Sequence, residues 1–229
     1  MKHRLSLLIV LLTGLVSTGV GQSPCTANNS GLTTFVHQGF VHGIQYSDAS
    51  KYRSDDDVDF LACLLRDKHE EFYYRNIVVV LGIGRNPRAT ELLISFIGSG
   101  NGVLTRNSYA AKSTALMSLG YLASVDPRAM AYLKASAEPE TWTQRDINWT
   151  APGQPNKEEA LAQRNEDLAR NAILGLGLSG DPGAAAFLSH LLKKEELQTK
   201  TDFRDVIAQA LQTNDEVQKV GIAAYTERR

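Results

Sequence analysis

Two cysteines, five histidines, a run of three aspartates and a close pair of tryptophans are the residues of this 229-residue chain whose types could do chemistry. Cys25 and Cys63 have none of the short Cys-x-x-Cys or Cys-His spacings that a metal site needs. In an oxidising compartment an even count reads instead as a bridge. On a helix starting near Asp57, residues Val58, Leu61, Ala62 and Leu65 form the apolar stripe and Cys63 points away from its centre. A length of chain lying over the helix can reach it there, so a Cys25–Cys63 disulfide is expected; the other reading is an unpaired buried thiol. His3, His69 and His190 stand alone, and His37 and His42 are five apart in a segment broken by Gly39 and Gly43. With no third ligand and no i, i+4 spacing, no metal is expected. Asp55, Asp56 and Asp57 lack the glycine and glutamate of a calcium loop and suit the positive end of a helix dipole. No Gly-x-Ser-x-Gly, His-Glu-x-x-His or phosphate-cradling glycine loop is present, so no catalytic residues and no cofactor are expected.

Trp142, Arg145 and Trp149 fall within eight residues, with Pro139, Pro152 and Pro155 nearby. Tryptophan and arginine are the types most enriched in interface hot spots, so these side chains are candidate anchors for a partner. The alternative is a lid folded back over the gap between helices.

The elements that must position these residues follow from a repeat. RNIVVVLGIGRNPRATELL at 75–93, KSTALMSLGYLASVDPRAMAYL at 112–133 and RNAILGLGLSGDPGAAAFL at 170–188 share one pattern. A basic residue (Arg75, Lys112, Arg170) is followed by a glycine (Gly82, Gly120, Gly177) and then by a proline (Pro87, Pro127, Pro182). This predicts helical hairpins: a helix ended by a left-handed glycine, then a second helix with proline at its first position. The first pair is expected at about 71–82 and 87–97, followed by a flexible connection at 98–106. The second is expected at 108–123 and 127–137, the third at 166–179 and 182–194, and a closing pair at 202–212 and 215–226. The recurring charges, with Asn86, Asp126 and Asp181, suggest a structural ladder between stacked hairpins.

Composition agrees with one globular domain: 43% of residues are hydrophobic and 21% charged. A net charge of −1 without a lysine or arginine run excludes a broad nucleic-acid footprint. Lys2, His3 and Arg4 precede an apolar run at 5–16 and small residues at 17–21. That is the pattern of a cleaved signal peptide at 1–21, and the run is shorter than the roughly 20 residues needed to span a bilayer. The mature chain is therefore expected to be exported, periplasmic or secreted, without a membrane span. It divides into an N-terminal cap (22–68), repeats at 71–97 and 108–137, an insertion (138–165), a repeat at 166–194 and a C-terminal cap (202–227). Gly120 to Gly177 is 57 residues against 38 for Gly82 to Gly120, which exposes the insertion. Such insertions map to one face of a stack, often the binding face.

The basic residue, Leu-Gly, second glycine, Asp or Asn, and Pro-x-Ala pattern resembles a HEAT repeat of the short, glycine-containing type found in bilin lyases and many bacterial proteins. The match is good over 71–97, 108–137 and 166–194, loose over 202–227, and departs at Ser124 and Val125. FVHQGFVHGIQYSDASKY at 35–52 before this repeat is also similar to a recurring family of exported bacterial HEAT proteins. The resemblance implies an all-α fold, an α-α superhelix (HEAT-like solenoid) of three to four helical hairpins. It also implies that the second helices line a concave face, with Arg88, Glu91, Tyr132 and His190 available to a partner. The expected function is a non-enzymatic protein-binding or scaffold module outside the cytoplasm, whose partner is another protein and not nucleic acid. The alternative is an exported enzyme or cofactor-handling protein related to the bilin-lyase-like members.

Overall fold

A computed structural model describes Cys25 and residues 29–40, 43–194 and 201–227. The expected signal peptide, including His3, and His42 lie outside the described residues. Within them the protein is mostly helical, with one small sheet. Helices α1 (Ser30–Val36), α2 (Tyr46–Ala49) and α3 (Asp55–Leu64) come first. Ser54 and Asp57 form a reciprocal capping box at the start of α3, and Asp55–Asp57 fill its first turn, where acidic groups complement the dipole. Cys63 of α3 is joined to Cys25 by a disulfide with 5.8 Å between Cα atoms.

A 3₁₀ turn (Lys68–Tyr73) leads into α4 (Tyr74–Ile83), followed by α5 (Arg88–Gly98), strand β1 (Asn101–Val103), α6 (Arg106–Leu122) and α7 (Pro127–Ser136). Then come α8 (Pro139–Thr143), β2 (Asn148–Thr150), α9 (Lys157–Leu178), α10 (Pro182–Leu191), α11 (Thr201–Val220) and α12 (Ile222–Glu227). Helices α4, α6, α9 and α11 lie side by side in chain order as one layer. A second layer runs α3, α5, α7, α10, each later member wedged between two first-layer helices. The core fills the space between the layers, with Ile77, Leu81, Leu93, Ile97, Leu116, Leu119, Ile173 and Leu176 fully buried. At the ends of the stack α12 packs against α2, so the two terminal caps meet.

The repeat glycines do a different job from the one their spacing suggests. Gly82, Gly120 and Gly177 lie inside α4, α6 and α9 and none has a positive φ. A side chain at Gly82 would place its Cβ 2.7 Å from that of Ser118 on α6, and one at Gly177 would sit 2.8 Å from the Ala210 carbonyl oxygen on α11. The glycines let neighbouring first-layer backbones touch. Left-handed backbone occurs three residues later, at Arg85 (φ 53°) and Gly180 (φ 60°). Two of the three prolines act as expected: Pro127 and Pro182 open α7 and α10, with Asp126 and Asp181 as N-caps accepting from Arg128 N and Ala184 N, whereas Pro87 is itself the N-cap of α5.

The sequence reading is corrected in three places. The connection at 98–106 contains β1, which pairs in parallel with β2 in the register Asn101–Asn148, Gly102–Trp149, Val103–Thr150. Parallel pairing follows from the layers: both segments link a second-layer helix to the next first-layer helix, so they run in the same direction one hairpin apart. The insertion is built of α8, β2 and the opening turns of α9, which starts at Lys157 rather than Glu166 because Asn156 caps it. The closing pair breaks at Gly221 (φ 80°), not near Gln212. There Asn214 stays helical because its buried side chain donates to the Leu176 carbonyl at the end of α9 (3.1 Å).

Candidate binding groove

The insertion brings Trp142, Arg145 and Trp149 inward. Both indoles are fully buried; Trp142 Nε1 donates to the Ser136 carbonyl (2.8 Å) and Trp149 Nε1 to the Ile97 carbonyl (3.0 Å). The Arg145 guanidinium stacks on Trp142 (4.2 Å) and Tyr132 (4.6 Å) and donates to Ser136 Oγ (2.9 Å). The reading of the tryptophans as exposed anchors is corrected: their rings fill the gaps beyond the ends of α5 and α7. Burial of a large ring whose N–H finds a helix-end carbonyl outweighs exposure to solvent.

Trp149 sits among buried cations. Lys112 Nζ and the Arg164 guanidinium each lie 5.6 Å from its ring centre, and Tyr109 meets it edge-on. Arg164 donates to the Trp149 carbonyl (2.7 Å) and the Ile147 carbonyl (3.1 Å), which pins β2 to α9. Lys112 donates to the Phe96 carbonyl and to Ser99 Oγ, capping the C-terminal end of α5. Burial lowers its pKa from the ordinary 10.5 to about 8. Bonds between hairpins form at two of the three recurring basic positions: Lys112 caps α5 of the preceding hairpin, and Arg170 faces Asp202 of α11 (3.9 Å) besides pairing with Glu166 (3.0 Å) and Asp167 (3.2 Å) of its own helix, while Arg75 is exposed; Asn86 also reaches back to Asp55 (2.8 Å).

The remaining candidates lie on the second layer. Arg88 bridges from α5 to Asp59 (2.8 Å) and Asp55 (3.4 Å) of α3, and His190 is exposed on α10. Tyr132 is half-buried beneath Arg145. Glu91, one turn beyond Arg88, borders an open groove of about 370 Å³ between α3 and α5. Its floor is Ala62, Leu65, Leu92 and Phe96, and its polar groups are Arg66, Glu91, Ser95 and Ser99. The Phe96 ring is held by Tyr74 edge-on (5.7 Å) and by Lys112 Nζ 4.4 Å from its centre. Volume, apolar floor and a few polar groups match a pre-formed recognition site.

His37, the first residue after α1, is occupied structurally. Its Nε2 meets the buried Glu70 carboxylate at 2.5 Å and its ring stacks on Tyr73 at 4.0 Å, fastening α1 to the 3₁₀ turn.

Of the sequence candidates only Glu91 reaches the groove. Arg66, Leu92, Ser95, Phe96 and Ser99 were missed, because they become neighbours only when α3 packs beside α5. One signal was available: α5 carries Leu92, Leu93, Ile94, Phe96 and Ile97, more apolar residues than one buried stripe requires. No family model, curated protein or solved structure gives a significant match to this chain.

Proposed function

We propose that this chain is a non-enzymatic protein-binding module of the HEAT-like α-solenoid type that works outside the cytoplasm. The observation that carries the reading is the groove between α3 and α5, open to solvent, apolar at its base and bordered by Arg66 and Glu91. Support for the solenoid comes from two ordered layers in which each hairpin packs chiefly on the next. The location rests on the signal-like start at 1–21 and on the Cys25–Cys63 disulfide, since such bridges persist in oxidising compartments.

The test uses residues 22–229 as bait on the envelope fraction of the native host, beside a Leu92→Glu bait shown to melt at the same temperature. A protein retained by the parent and lost from Leu92→Glu is the expected result. Equal retention by both baits would remove the groove from the interface and defeat the reading.

A further inference from the structure

The groove has a direction. Helices α3 and α5 run parallel, because Arg88 at the start of α5 reaches Asp55 and Asp59 at the start of α3 while Leu65, Arg66, Phe96 and Ser99 line the groove toward their other ends. The Arg88–Asp59 contact sets Glu91 level with Ala62, and Arg66 level with Ser95. At 1.5 Å of rise per residue, Glu91 and Arg66 are therefore separated along the groove by about 6 Å. The apolar surface of Leu65 and Leu92 lies between them, and Phe96 borders it at the Arg66 end.

Among the described residues neither Arg66 nor Glu91 is in an ion pair. The cation that senses Glu91 is Arg128, which is itself held by Asp126 at 2.8 Å. Opposite charges at the two ends of an apolar floor, left unsatisfied by each other, are complementary to a segment of reversed polarity. Phe96 is fixed from behind by Tyr74 and Lys112, so the floor is pre-organised for a bulky side chain.

Building on the reading of this groove as a protein-binding site, we infer that it takes a linear segment of a partner protein bearing one bulky apolar anchor. A basic residue lies on the Glu91 side of that anchor and an acidic residue on the Arg66 side. In a helical segment the two charges would be about four residues apart, from the same rise per residue. The anchor supplies affinity, and the exposed charge pairs set the orientation.

The probe is a displayed library of random peptides, selected on the mature chain after depletion on Leu92→Glu. Enrichment of a bulky apolar residue flanked by a basic residue on one side and an acidic residue on the other is the expected result. Arg66→Ala or Glu91→Ala should weaken a selected peptide about two- to fivefold at low salt, in keeping with an exposed pair. The double swap Arg66→Glu with Glu91→Arg should weaken a selected peptide, and exchanging that peptide's basic and acidic residues should restore binding. Peptides enriched without opposite flanking charges, no enrichment, or an unchanged preference after the swap would overturn this inference. Loss of the envelope partner from Leu92→Glu would still stand as support for the groove itself, so the two failures are separable.

Discussion

Gly120 of α6 and Gly175 of α9 touch through their backbones: a methyl group on Gly120 would overlap the Gly175 carbonyl, and one on Gly175 would lie 2.6 Å from the Leu116 carbonyl oxygen. A glycine inside a helix costs about 0.5–1 kcal/mol relative to alanine. The close approach of two core helices outweighs that cost. Gly120→Ala should therefore lower stability by about 1–3 kcal/mol despite its better helix propensity. Gly98→Ala, whose methyl meets open space at the end of α5, should raise it by roughly 0.5 kcal/mol. Urea midpoints of the two variants check both signs; an unchanged midpoint for Gly120→Ala would mean that α6 and α9 do not pack this closely.

Arg85 and Gly180 occupy the same turn in different copies, both in left-handed backbone. A residue with a Cβ is strained there by roughly 1–2 kcal/mol. Arg85→Gly should therefore stabilise the protein by about 1 kcal/mol, less a small loss from the exposed bond to Ser124 Oγ (2.9 Å). Gly180→Ala should destabilise it, because its Cβ would also stand 2.5 Å from Val217 Cγ1. Thermal melts of the pair should move in opposite directions.

Trp149 closes the region beneath the parallel strands, with its ring fully buried and its N–H on the Ile97 carbonyl. Trp149→Ala should cost about 3–5 kcal/mol, as other buried tryptophans do. Trp149→Phe, which keeps most of the ring but orphans the carbonyl, should cost about 1–3 kcal/mol. Chemical denaturation followed by circular dichroism measures both. A parental midpoint for Trp149→Ala would show that the ring is not part of the core.

Lys112 should make stability depend on alkaline pH. Its folded pKa of about 8 lies below the ordinary 10.5, so between these values the unfolded chain binds the extra proton. Stability must then rise with pH across that window. Desolvation sets an upper bound of roughly 3 kcal/mol for the rise. The Phe96 carbonyl and the two ring faces favour the ammonium and reduce it, so about 1–2 kcal/mol is expected. Urea midpoints at pH 8 and 10 for the parent and Lys112→Met should show the slope in the parent alone; equal slopes would place it on another group.

The sequence by itself determined the features that depend on local backbone chemistry. Pro127 and Pro182 open their helices because a fixed φ and a missing donor suit that position, and Asp126 and Asp181 beside them cap the same turns. The all-helical class and the order of hairpins followed from the spacing of these signals. Cys25 was legible as the partner of Cys63, because helix phase turns Cys63 away from the centre of the apolar stripe. Tertiary structure alone decided what each side chain meets. The same glycine that ends a helix in one context lies inside α6 here, because its missing Cβ matters more to the approach of α9 than to the local turn. Trp142 and Trp149 read as anchors or lid with equal ease until the carbonyls of Ser136 and Ile97 were in place to receive their N–H groups. The groove was the least legible part, since Arg66 and Phe96 lie thirty residues apart and line one groove only after α3 packs beside α5.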